Sequence, residues 1–551
     1  MKQFRGILDC FLHWEKQTPD AVFLRQPIGN SWKAYSWKQV GEEARKIAAT
    51  LSKLGISKGE RIALLSQNCA EWIISDIGIM MGGYVSVPLY ANINATTLKE
   101  ILTHSESRVL FVGKLHKNDW ENIRPAIPSS VMAVTMPGYE KDSITPWNQW
   151  LITSDSSNLS MDVSPEDTFT IIYTSGTTGA PKGVVHTNRT VMNALDMAVE
   201  EGFLDQRGNR FFSYLPLSHA AERGLVECGA LYSGGSISFV ESQETFPSNI
   251  RDTLPTHFFG VPRIWEKFQS KILEVLSQQR LDLLLRIPIV STLIKSKIKK
   301  LLGLQNALII LSGAAPISPD LMTWFTKIGI RIREAYGMSE NFNVCTINPK
   351  DQIRIGSVGK LFKGQEVKID KDTGEILQRC PWLMKGYFKE PELSAQTLLD
   401  GFLHTGDMGE LSPDGFLKLT GRVKDIFKTS KGEYIVPGKI EMLFLALPIV
   451  DQACVMGSRY PQPFIIIRLS KAGKAMPVTL VTESLNKTLQ DYNRSAMEYQ
   501  KLKKVIIVRE EWTNENGLLT PTLKMKRNAL SAKYEESLET LYNHDEVVSK
   551  E

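Results

Sequence analysis

The spacing of apolar and polar positions in the first part of the chain predicts helices that alternate with strands. A helix over residues 36–54, ended by Gly55, precedes an apolar strand over 61–65, and a helix over 98–105 precedes a strand over 109–112. Strands that are separated by helices are typical of an α/β fold whose sheet is largely parallel. We therefore predict an α/β architecture for this part of the protein.

The most apolar long stretch, residues 72–90, does not have the composition of a membrane span. It contains Asp76, three glycines and Pro88, whereas a transmembrane helix needs about twenty uninterrupted apolar residues. The pattern favours a buried helix followed by a core strand at 84–88. The first ten residues also lack an apolar run long enough for a signal peptide, so we expect a cytoplasmic protein.

The clearest chemistry in the chain follows an apolar strand predicted at 169–172. Residues 173–183 have the sequence YTSGTTGAPKG, and a further strand is predicted at 184–186. Glycines allow the backbone to approach a ligand closely, and successive backbone N–H groups form a cradle for anions. The residues that offer these amides, hydroxyls and one cationic group are Thr174, Ser175, Gly176, Thr177, Thr178, Gly179 and Lys182. The composition predicts a polyphosphate site.

Two other interpretations of this loop are weaker. A Walker P-loop needs a glycine, four residues and then Gly-Lys-Ser/Thr. Counting from Gly176 puts Pro181 at the second glycine and Gly183 after the lysine, which argues against a P-loop ATPase or GTPase. The second alternative is an ordinary hairpin between two strands. We do not expect it, because a hairpin does not need eleven residues with four hydroxyls and a lysine.

Length and composition add limits on the class of protein. A chain of 551 residues is too long for one core, so at least two domains are expected. A hydrophobic content of 42% with 23% charged residues is usual for a soluble protein. The net charge of +5 argues strongly for neither nucleic acid nor lipid, and we predict no nucleic-acid partner. Six cysteines without a CxxC pair indicate reduced thiols, without a zinc site or a disulfide framework.

The loop at 173–183 closely resembles the phosphate-binding loop of the adenylate-forming superfamily, which includes acyl-CoA synthetases, luciferases and peptide-synthetase adenylation domains. Between His219 and Trp265, the stretches Ala-Glu-Arg-Gly and Phe-Val-Glu-Ser-Gln-Glu-Thr-Phe resemble long-chain acyl-CoA synthetases more than other branches. The resemblance implies a large N-terminal adenylation domain of mixed sheets packed by helices, residues 1–422. It also implies a small, mobile α+β cap domain, residues 423–551, with a hinge at Lys424.

The resemblance also implies which residues hold ATP. The turn after a strand predicted at 307–311 would hold adenine, since a glycine and two alanines leave room for a flat ring, and Tyr336 would stack on that ring. Asp407 would bond the ribose hydroxyls, and Glu340 with Thr178 would bind Mg²⁺. Beyond the phosphate loop, the implied ATP-binding residues are Gly313, Ala314, Ala315, Glu334, Ala335, Tyr336, Gly337, Met338, Ser339, Asp407, Arg422 and Lys428.

The remaining implied roles concern catalysis, the acyl group and CoA. Lys524 follows a Thr-Pro-Thr-Leu segment and matches the catalytic lysine of the superfamily in its long-chain form. The implied catalytic residues are Lys524, Glu340, Lys182 and His219. The implied acyl-pocket residues are His219, at the mouth of the carboxylate pocket, Phe259 and Trp265, and the implied CoA contacts are Ser430, Lys431 and Gly432.

The activity that the resemblance implies is that of an AMP-forming long-chain fatty acid–CoA ligase using ATP, Mg²⁺ and CoA. The fatty acid carboxylate would attack the α-phosphorus of ATP, giving acyl-AMP and pyrophosphate, and the CoA thiol would then displace AMP. Two alternatives are a fatty acyl-AMP ligase that loads a carrier protein and a non-catalytic lipid-binding relative. The intact set of Lys182, Glu340, Asp407, Arg422 and Lys524 argues against the second.

A helical insertion predicted over residues 275–305 carries a basic amphipathic segment. Lys295, Lys297, Lys299 and Lys300 stand beside spaced isoleucines and leucines. A solvated helix face is the commoner explanation of such a pattern, and contact with an anionic bilayer is the other. Because a long-chain fatty acid partitions into a bilayer, we predict weak peripheral contact through residues 283–302 on the inner face of the membrane.

Overall fold

The structure is a computed structural model that describes residues 4–141, 144–151, 161–175, 180–204, 208–513, 516–520, 525–544 and 546–550. Within these ranges the α-helices are α1 (Ile7–Gln17), α2 (Trp37–Lys53), α3 (Ala70–Met81), α4 (Ala95–Ser105), α5 (Lys117–Ile123), α6 (Trp147–Trp150), α7 (Asn188–Glu200), α8 (Ala220–Glu222), α9 (Gly229–Ser233), α10 (Phe246–Thr253), α11 (Pro262–Val275), α12 (Gln278–Leu285), α13 (Pro288–Leu301), α14 (Pro319–Lys327), α15 (Pro391–Thr397), α16 (Pro437–Leu445), α17 (Lys471–Ala475), α18 (Val478–Ser495) and α19 (Arg527–Asn543).

The strands in the same ranges are β1 (Val22–Ile28), β2 (Ser31–Ser36), β3 (Arg61–Leu65), β4 (Val85–Leu89), β5 (Ser107–Val112), β6 (Met132–Thr135), β7 (Thr168–Ser175), β8 (Pro181–Thr187), β9 (Arg210–Ser213), β10 (Ser236–Phe239), β11 (His257–Phe259), β12 (Ile309–Ser312), β13 (Arg333–Tyr336), β14 (Thr346–Ile347), β15 (Gly359–Leu361), β16 (Glu366–Ile369), β17 (Glu375–Arg379), β18 (Gly386–Tyr387), β19 (Leu398–Leu399), β20 (Phe402–Leu411), β21 (Phe416–Arg422), β22 (Phe427–Lys428), β23 (Tyr434–Ile435), β24 (Val450–Met456), β25 (Phe464–Leu469), β26 (Val505–Val508) and β27 (Val548–Lys550).

In the part of the chain that the structure describes, a seven-stranded sheet has the order β18-β8-β7-β4-β3-β5-β6. Its pairs from β7 through β4, β3 and β5 to β6 are parallel. Strands β3 and β4 are apolar runs with buried residues on both faces, as expected for a parallel sheet that helices cover on both sides. The predicted α/β architecture is confirmed.

Helix α2 shows why the hydrophobic pattern located these elements well. Ser36 caps its start: the Ser36 Oγ accepts a hydrogen bond from the Gln39 N–H at 3.2 Å, and the Gln39 Oε1 accepts one from the Ser36 N–H at 2.8 Å. This reciprocal capping box satisfies two N–H groups that the helix itself leaves unpaired. Val40, Ala44 and Ile47 form the buried face of α2, which packs on α3. The prediction of this helix is confirmed.

A longer sheet, counted over the described residues, has fourteen strands in the order β16-β17-β20-β21-β15-β14-β13-β12-β11-β9-β10-β1-β2, with β19 paired to β20. The pairs among β9 to β13 are parallel. The pairs along the rest of this side of the sheet, β13-β14, β14-β15, β15-β21, β21-β20, β20-β17 and β17-β16, are antiparallel. The residues that follow β12 and β13, at the carboxyl ends of these strands, line the large cavity of the molecule.

The C-terminal part has a sheet of its own, β24-β25-β26-β27. One face packs with α16 and α18 through buried residues that include Phe444 and Leu485, and the other packs with α19 through Leu530 and Tyr534. A unit with its own core can rotate as a body. The division of the chain at residues 422 and 423 stays a prediction.

One element is shorter than the sequence pattern suggests. The apolar stretch before His219 predicts a strand that ends at this histidine, but β9 already ends at Ser213. The backbone beyond it bonds to side chains: the Tyr214 N–H donates to Glu222 at 3.0 Å, and the Leu217 N–H donates to Asn68 at 3.2 Å. Side-chain acceptors therefore replace the neighbouring strand, and His219 stands in a connecting segment.

The helical insertion predicted over 275–305 is present as two helices, α12 and α13. Pro288 is the first residue of α13, a position where proline starts a helix without losing a hydrogen bond. Among the helices of the described ranges, none has both the length and the apolar character that crossing a bilayer requires.

Candidate active site

One large cavity collects most of the candidate residues. It has a volume of about 3730 Å³ and receives residues from the strand ends of the N-terminal part and from α16 and α19 of the C-terminal part. The candidates on its wall are Thr174, Lys182, His219, Phe259, Ala314, Ala315, Glu334, Ala335, Tyr336, Gly337, Met338, Ser339, Glu340, Asp407, Arg422 and Lys424. Gly176, Thr177, Thr178, Gly179 and Lys524 lie outside the described residues.

The phosphate-loop candidates belong to a β-hairpin. Strands β7 and β8 are antiparallel, with Thr174 opposite Lys182 and Ser175 opposite Pro181. The strands predicted on both sides of the loop are present, and they pair as a hairpin. The phosphate-binding role of the loop stays a prediction. The first three and the last three residues of the stretch 173–183 are paired in the two strands, so most of its eleven residues belong to strands and not to the connecting loop. The candidate hydroxyl of Thr174 and the Lys182 amine are consequently carried by rigid, paired backbone.

Lys182 is half-buried and faces charges of both signs. Burial lowers the pKa of Lys182, the Lys424 ammonium lowers it further, and the Glu340 and Glu390 carboxylates oppose these effects. The Lys182 Nζ lies 5.6 Å from the ring centroid of Tyr387. A cation that has lost part of its hydration is well suited to pair with an anionic group that enters the cavity.

Glu340 presents a largely buried carboxylate to the same cavity. Its Oε1 accepts a hydrogen bond from Tyr387 Oη at 2.8 Å, and its backbone oxygen accepts one from the Met384 N–H at 2.8 Å. The described residues contain no group of three or more His, Cys, Asp or Glu side chains placed to hold a metal. A single carboxylate fits Mg²⁺, which takes one or two protein carboxylates and completes its shell with water and phosphate oxygens.

The turn after β12 and the segment after β13 combine small residues with close packing. Ala314 has a φ of 65°, in the left-handed region that non-glycine residues rarely adopt. A Cβ at Gly313 would lie 2.9 Å from the Ala335 oxygen, and a Cβ at Gly337 would lie 2.2 Å from the Asn343 carbonyl carbon. Gly313 itself is not on the cavity wall. Its role is to let β12 and β13 approach, so the room for a flat ring is beside the two alanines.

Asp407 and Arg422 face each other across β20 and β21. The Arg422 Nε lies 2.9 Å from Asp407 Oδ1, and the Asp407 carboxylate raises the pKa of Arg422.

Glu334, on the same cavity wall, has a different environment, since burial raises the pKa of its carboxyl to about 7. Near neutral pH the Glu334 carboxyl can therefore donate as well as accept a hydrogen bond.

The three acyl-pocket candidates do not share one environment. His219 caps α8, its Nδ1 accepting a hydrogen bond from the Ala221 N–H at 3.1 Å, and it lies on the cavity wall together with Phe259. Trp265 does not: it is fully buried, and its Nε1 donates to the Gly260 oxygen at 2.8 Å. The assignment of Trp265 to the pocket wall is corrected, because this side chain supports the wall from the core.

The residues predicted to contact CoA, and Lys428, are not on the cavity wall. Ser430, Lys431 and Gly432 are exposed on the turn between β22 and β23. The Lys428 Nζ lies 4.6 Å from the centroid of the Tyr434 ring on the same hairpin. In this arrangement, the structure does not bring these four candidates together with the ATP candidates.

The start of α19 is anchored near the predicted hinge. The Arg527 guanidinium donates to both carboxylate oxygens of Glu441, at 2.7 and 2.6 Å, and its Nε lies 3.3 Å from Asp425 Oδ2. Arg527 stands three positions after Lys524, and Asp425 directly follows Lys424. The segment that follows the candidate lysine is thus tied to the residue beside the candidate hinge.

Tyr387 and Glu222 also line the cavity and were not among the candidates. Tyr387 contacts Glu340 and Lys182, but these partners are distant in sequence, so no local pattern signals it. Glu222 is fully buried and its Oε1 accepts from Ser213 Oγ at 3.0 Å. Burial raises the pKa of the Glu222 carboxyl to about 8. A carboxylate inside a mostly apolar stretch was the available signal for Glu222.

The architecture places the protein in a known structural class. The anthranilate CoA ligase AuaEII, solved in complex with anthranoyl-AMP, is similar with a TM-score of 0.77 at 22% sequence identity, over 98% of this chain and 99% of that chain. The adenylation domain of a carboxylate reductase from Mycobacterium chelonae is similar with a TM-score of 0.79 at 21% identity, over 98% and 91%. The fold is therefore that of adenylate-forming enzymes.

The sequence defines the family. The model of the AMP-binding enzyme family matches residues 11–388, and that of the AMP-binding enzyme C-terminal domain matches residues 424–546. The chain belongs to the AMP-binding enzyme family, and the predicted superfamily is confirmed.

Curated relatives match along almost the whole chain. The long-chain-fatty-acid–CoA ligase FadD15 of Mycobacterium tuberculosis is 27% identical over 578 residues, covering 96% of both chains. Fatty acyl-CoA synthetase A of Dictyostelium discoideum is 30% identical over 580 residues, covering 93% of this chain and 86% of the relative. The peroxisomal long chain acyl-CoA synthetase 7 of Arabidopsis thaliana is 30% identical over 577 residues, covering 92% and 82%.

Proposed function

We propose that the chain is an AMP-forming ligase that joins a long-chain fatty acid to CoA through an acyl-AMP intermediate. The observation that carries this proposal is the single cavity on which Lys182, Glu340, Tyr336, Asp407 and Arg422 meet. Their charges and hydrogen-bonding groups suit a nucleoside triphosphate. The fatty acyl class is supported by the names of the relatives, which are long-chain-fatty-acid–CoA ligases and fatty acyl-CoA synthetases.

The first half-reaction brings a carboxylate onto the α-phosphorus of ATP, so positive charge must be concentrated there. Lys182 would supply a cation from β8, and Lys524 a second one from the C-terminal part. His219, at the cavity wall, would orient the fatty acid carboxylate. Glu340 and Thr178 would hold Mg²⁺, which when bound neutralises charge on the phosphate oxygens.

The second half-reaction needs the CoA thiol to reach the acyl carbon, which Lys524 would obstruct. We propose that residues 423–551 rotate about Lys424 to clear this path. The Lys439–Glu410 ion pair, 2.9 Å between β20 and α16, has two exposed partners and contributes at most about 1 kcal/mol, so it does not lock the present arrangement. Ser430 to Gly432, exposed here, are CoA contacts in the rotated arrangement.

The proposal is tested by measuring AMP, pyrophosphate and acyl-CoA across carboxylates from about two to twenty carbons, a span over which each buried methylene contributes about 0.8 kcal/mol. A CoA ligase forms acyl-CoA and AMP in equal amounts, with the highest kcat/KM for long chains. Acyl-AMP that accumulates and does not consume CoA would instead identify a fatty acyl-AMP ligase. Fatty acid binding without pyrophosphate release would identify a non-catalytic relative.

We further propose that the enzyme works on the cytoplasmic face of a membrane and touches anionic lipid through α12 and α13. The first two turns of α13 expose apolar side chains: Ile289 is 77% exposed and Leu293 is 65% exposed. Lys297 and Lys300 on α13 are exposed beside them. An apolar tip flanked by lysines matches the chemistry of an anionic bilayer surface.

The membrane proposal is tested by co-sedimentation with phosphatidylserine-containing vesicles and with phosphatidylcholine vesicles. Lys297→Gln with Lys300→Gln is expected to reduce binding to the anionic vesicles about thirtyfold, since each basic residue near such a surface contributes about 1 kcal/mol. Ile289→Ser with Leu293→Ser is expected to reduce it as well. The control is Val478→Ser with Leu480→Ser, which removes two exposed apolar side chains of α18. Equal sedimentation of all variants would mean that α13 is a solvated face.

A further inference from the structure

Strand β18 is a two-residue strand that completes the sheet beside the candidate phosphate loop. Gly386 pairs with Val185, and Tyr387 pairs with Val184. The Phe388 N–H donates to the Gly183 oxygen at 2.8 Å, directly after Lys182 in the sequence. A segment about 200 residues further along the chain is thus fixed to the strand that carries the lysine.

Tyr387 contacts both charged groups of the proposed phosphate site. Its Oη donates to Glu340 Oε1 at 2.8 Å, and its ring centroid lies 5.6 Å from the Lys182 Nζ. Tyr387 also lies on the cavity wall with Glu340 and Lys182. One side chain therefore holds the carboxylate with its hydroxyl and the ammonium with the face of its ring.

We propose that Tyr387 is a positioning residue that aims the Glu340 carboxylate at the magnesium–triphosphate complex and keeps it apart from Lys182. The inference rests on the proposed function, because it concerns the same site.

Direct pairing of Glu340 with Lys182 competes with the binding of the ligand by either group. Glu340 and Lys182 carry opposite charges in a partly desolvated cavity, where attraction between charges is stronger than in water. If they paired directly, each would be withdrawn from the ligand that it has to bind. The Tyr387 hydroxyl occupies one oxygen of Glu340 and leaves the other for a metal ion. Its ring offers the Lys182 ammonium a contact that leaves the N–H groups free for phosphate oxygens.

The test measures ATP binding by calorimetry, with and without Mg²⁺, so it does not depend on turnover. Tyr387→Phe keeps the ring and is expected to raise the Mg²⁺ concentration that half-saturates the ATP complex about fivefold to twentyfold, because a hydrogen bond to a charged group is lost. ATP affinity without Mg²⁺ should stay within about twofold of the parent. Tyr387→Leu, which also removes the ring, should weaken ATP binding both with and without Mg²⁺.

Glu340→Gln supplies the reference for a lost carboxylate. It is expected to raise the Mg²⁺ requirement more than Tyr387→Phe does, and the double variant should be no worse than Glu340→Gln alone, since both changes act through one group. The matched control is Tyr434→Phe, whose ring also lies under a lysine, Lys428, but away from the cavity. This control should leave both ATP titrations unchanged.

Three results would overturn the role of Tyr387. The first is an unchanged Mg²⁺ titration in Tyr387→Phe. The second is a double variant whose effects simply add, because the tyrosine then acts elsewhere. The third is a Tyr387→Phe protein that also loses Mg²⁺-free ATP binding, because the hydroxyl is then a structural contact. If the parent binds Mg²⁺ and ATP with the expected variant pattern but forms no acyl-AMP, the proposed function fails and the positioning role stands.

Discussion

The phenolic hydroxyl of Tyr336 donates a hydrogen bond to Asp407 Oδ2 at 2.7 Å. The other carboxylate oxygen, Oδ1, contacts the Arg422 Nε at 2.9 Å. Tyr336, which is expected to stack on adenine, is therefore hydrogen-bonded directly to Asp407, which is expected to bond the ribose. A carboxylate has about four lone-pair positions, so Asp407 can accept from Tyr336, from Arg422 and from two ribose hydroxyls together.

This relationship predicts unequal effects of two substitutions on ATP use. Asp407→Asn loses the charge that Arg422 and Tyr336 share and should lower kcat/KM for ATP about 10- to 100-fold, since hydrogen bonds to charged groups contribute about 1.5–3 kcal/mol. Tyr336→Phe keeps the aromatic ring and should lower kcat/KM for ATP less than about tenfold. Pyrophosphate release at varied ATP measures both.

The control for this pair is Asp400→Asn, at an exposed turn position with a φ of 52° that asparagine also adopts. Its kcat/KM for ATP should match the parent. Equal losses in Tyr336→Phe and Asp407→Asn would mean that the hydroxyl, and not the ring, is what the nucleotide needs.

Lys524→Ala should lower the rate of adenylation about 100-fold to 1000-fold, because the cation proposed to stabilise the developing phosphate charge is lost. Thiolysis of supplied acyl-AMP should fall far less, since that step needs no charge at the α-phosphate. The two half-reactions are followed separately, as pyrophosphate release and as CoA-dependent AMP release. Lys526→Ala, two residues further on and exposed, is the control for lost charge. A similar loss in both half-reactions would contradict the role.

The pH dependence of ATP binding should report the Lys424 charge. Burial lowers the pKa of Lys182 and the Lys424 ammonium lowers it further, so Lys424→Gln should raise it. The cation at position 182 then persists to higher pH, and the alkaline loss of ATP affinity shifts upward. Calorimetric ATP titrations from about pH 8 to 10.5 cover the range of such a lysine.

Lys38→Gln is the control for this shift, because Lys38 is exposed on α2 and does not line the cavity. Its loss of ATP affinity with rising pH should coincide with that of the parent. If Lys424→Gln loses ATP affinity at the same pH as the parent, the ammonium groups of Lys182 and Lys424 do not interact in solution.

Glu222 should make folding stability depend on pH. Burial raises the pKa of its carboxyl from 4.5 to about 8, so between these values the folded state holds a proton that the unfolded chain releases. Its contribution is complete below about pH 4.5 and is lost as the pH rises through about 8. Glu222→Gln imitates the protonated form and should reduce the fall in thermal midpoint between pH 5.5 and 8.5 by about 2 °C or more.

The exposed Glu200→Gln at the end of α7 is the control, and its midpoints should follow those of the parent at both pH values. A Glu222→Gln midpoint with the parent's full pH dependence would mean that the buried carboxyl does not titrate in this range.

The sequence predicted elements wherever one local signal determined them. Helix α2 has a capping box and an apolar stripe, and β3 is a short apolar run between polar residues, so both were located within one or two residues. The motifs that end in Glu340 and Asp407 were found because each is contiguous. Their placement on one cavity wall followed from the family resemblance and not from spacing.

Other features depend on distant packing and left no local signal. Trp265 looks the same in sequence whether it faces a pocket or the core, and only the Phe258, Phe268 and Phe325 rings around it decide the question. The end of β9 depends on Asn68, which is far away along the chain. The contacts of Tyr387 depend on the pairing of β18 with β8.

That pairing has a consequence for protein synthesis. Strand β8 has β18 as its outer neighbour, but β18 is translated about 200 residues later, which takes roughly 10–40 s at about 5–20 residues per second. During this time the nascent chain carries a β8 edge without its native partner, and unpaired edges are templates for intermolecular strand pairing. Ribosome pausing between the two strands should therefore increase aggregation of the nascent protein, and release beyond residue 388 should relieve it.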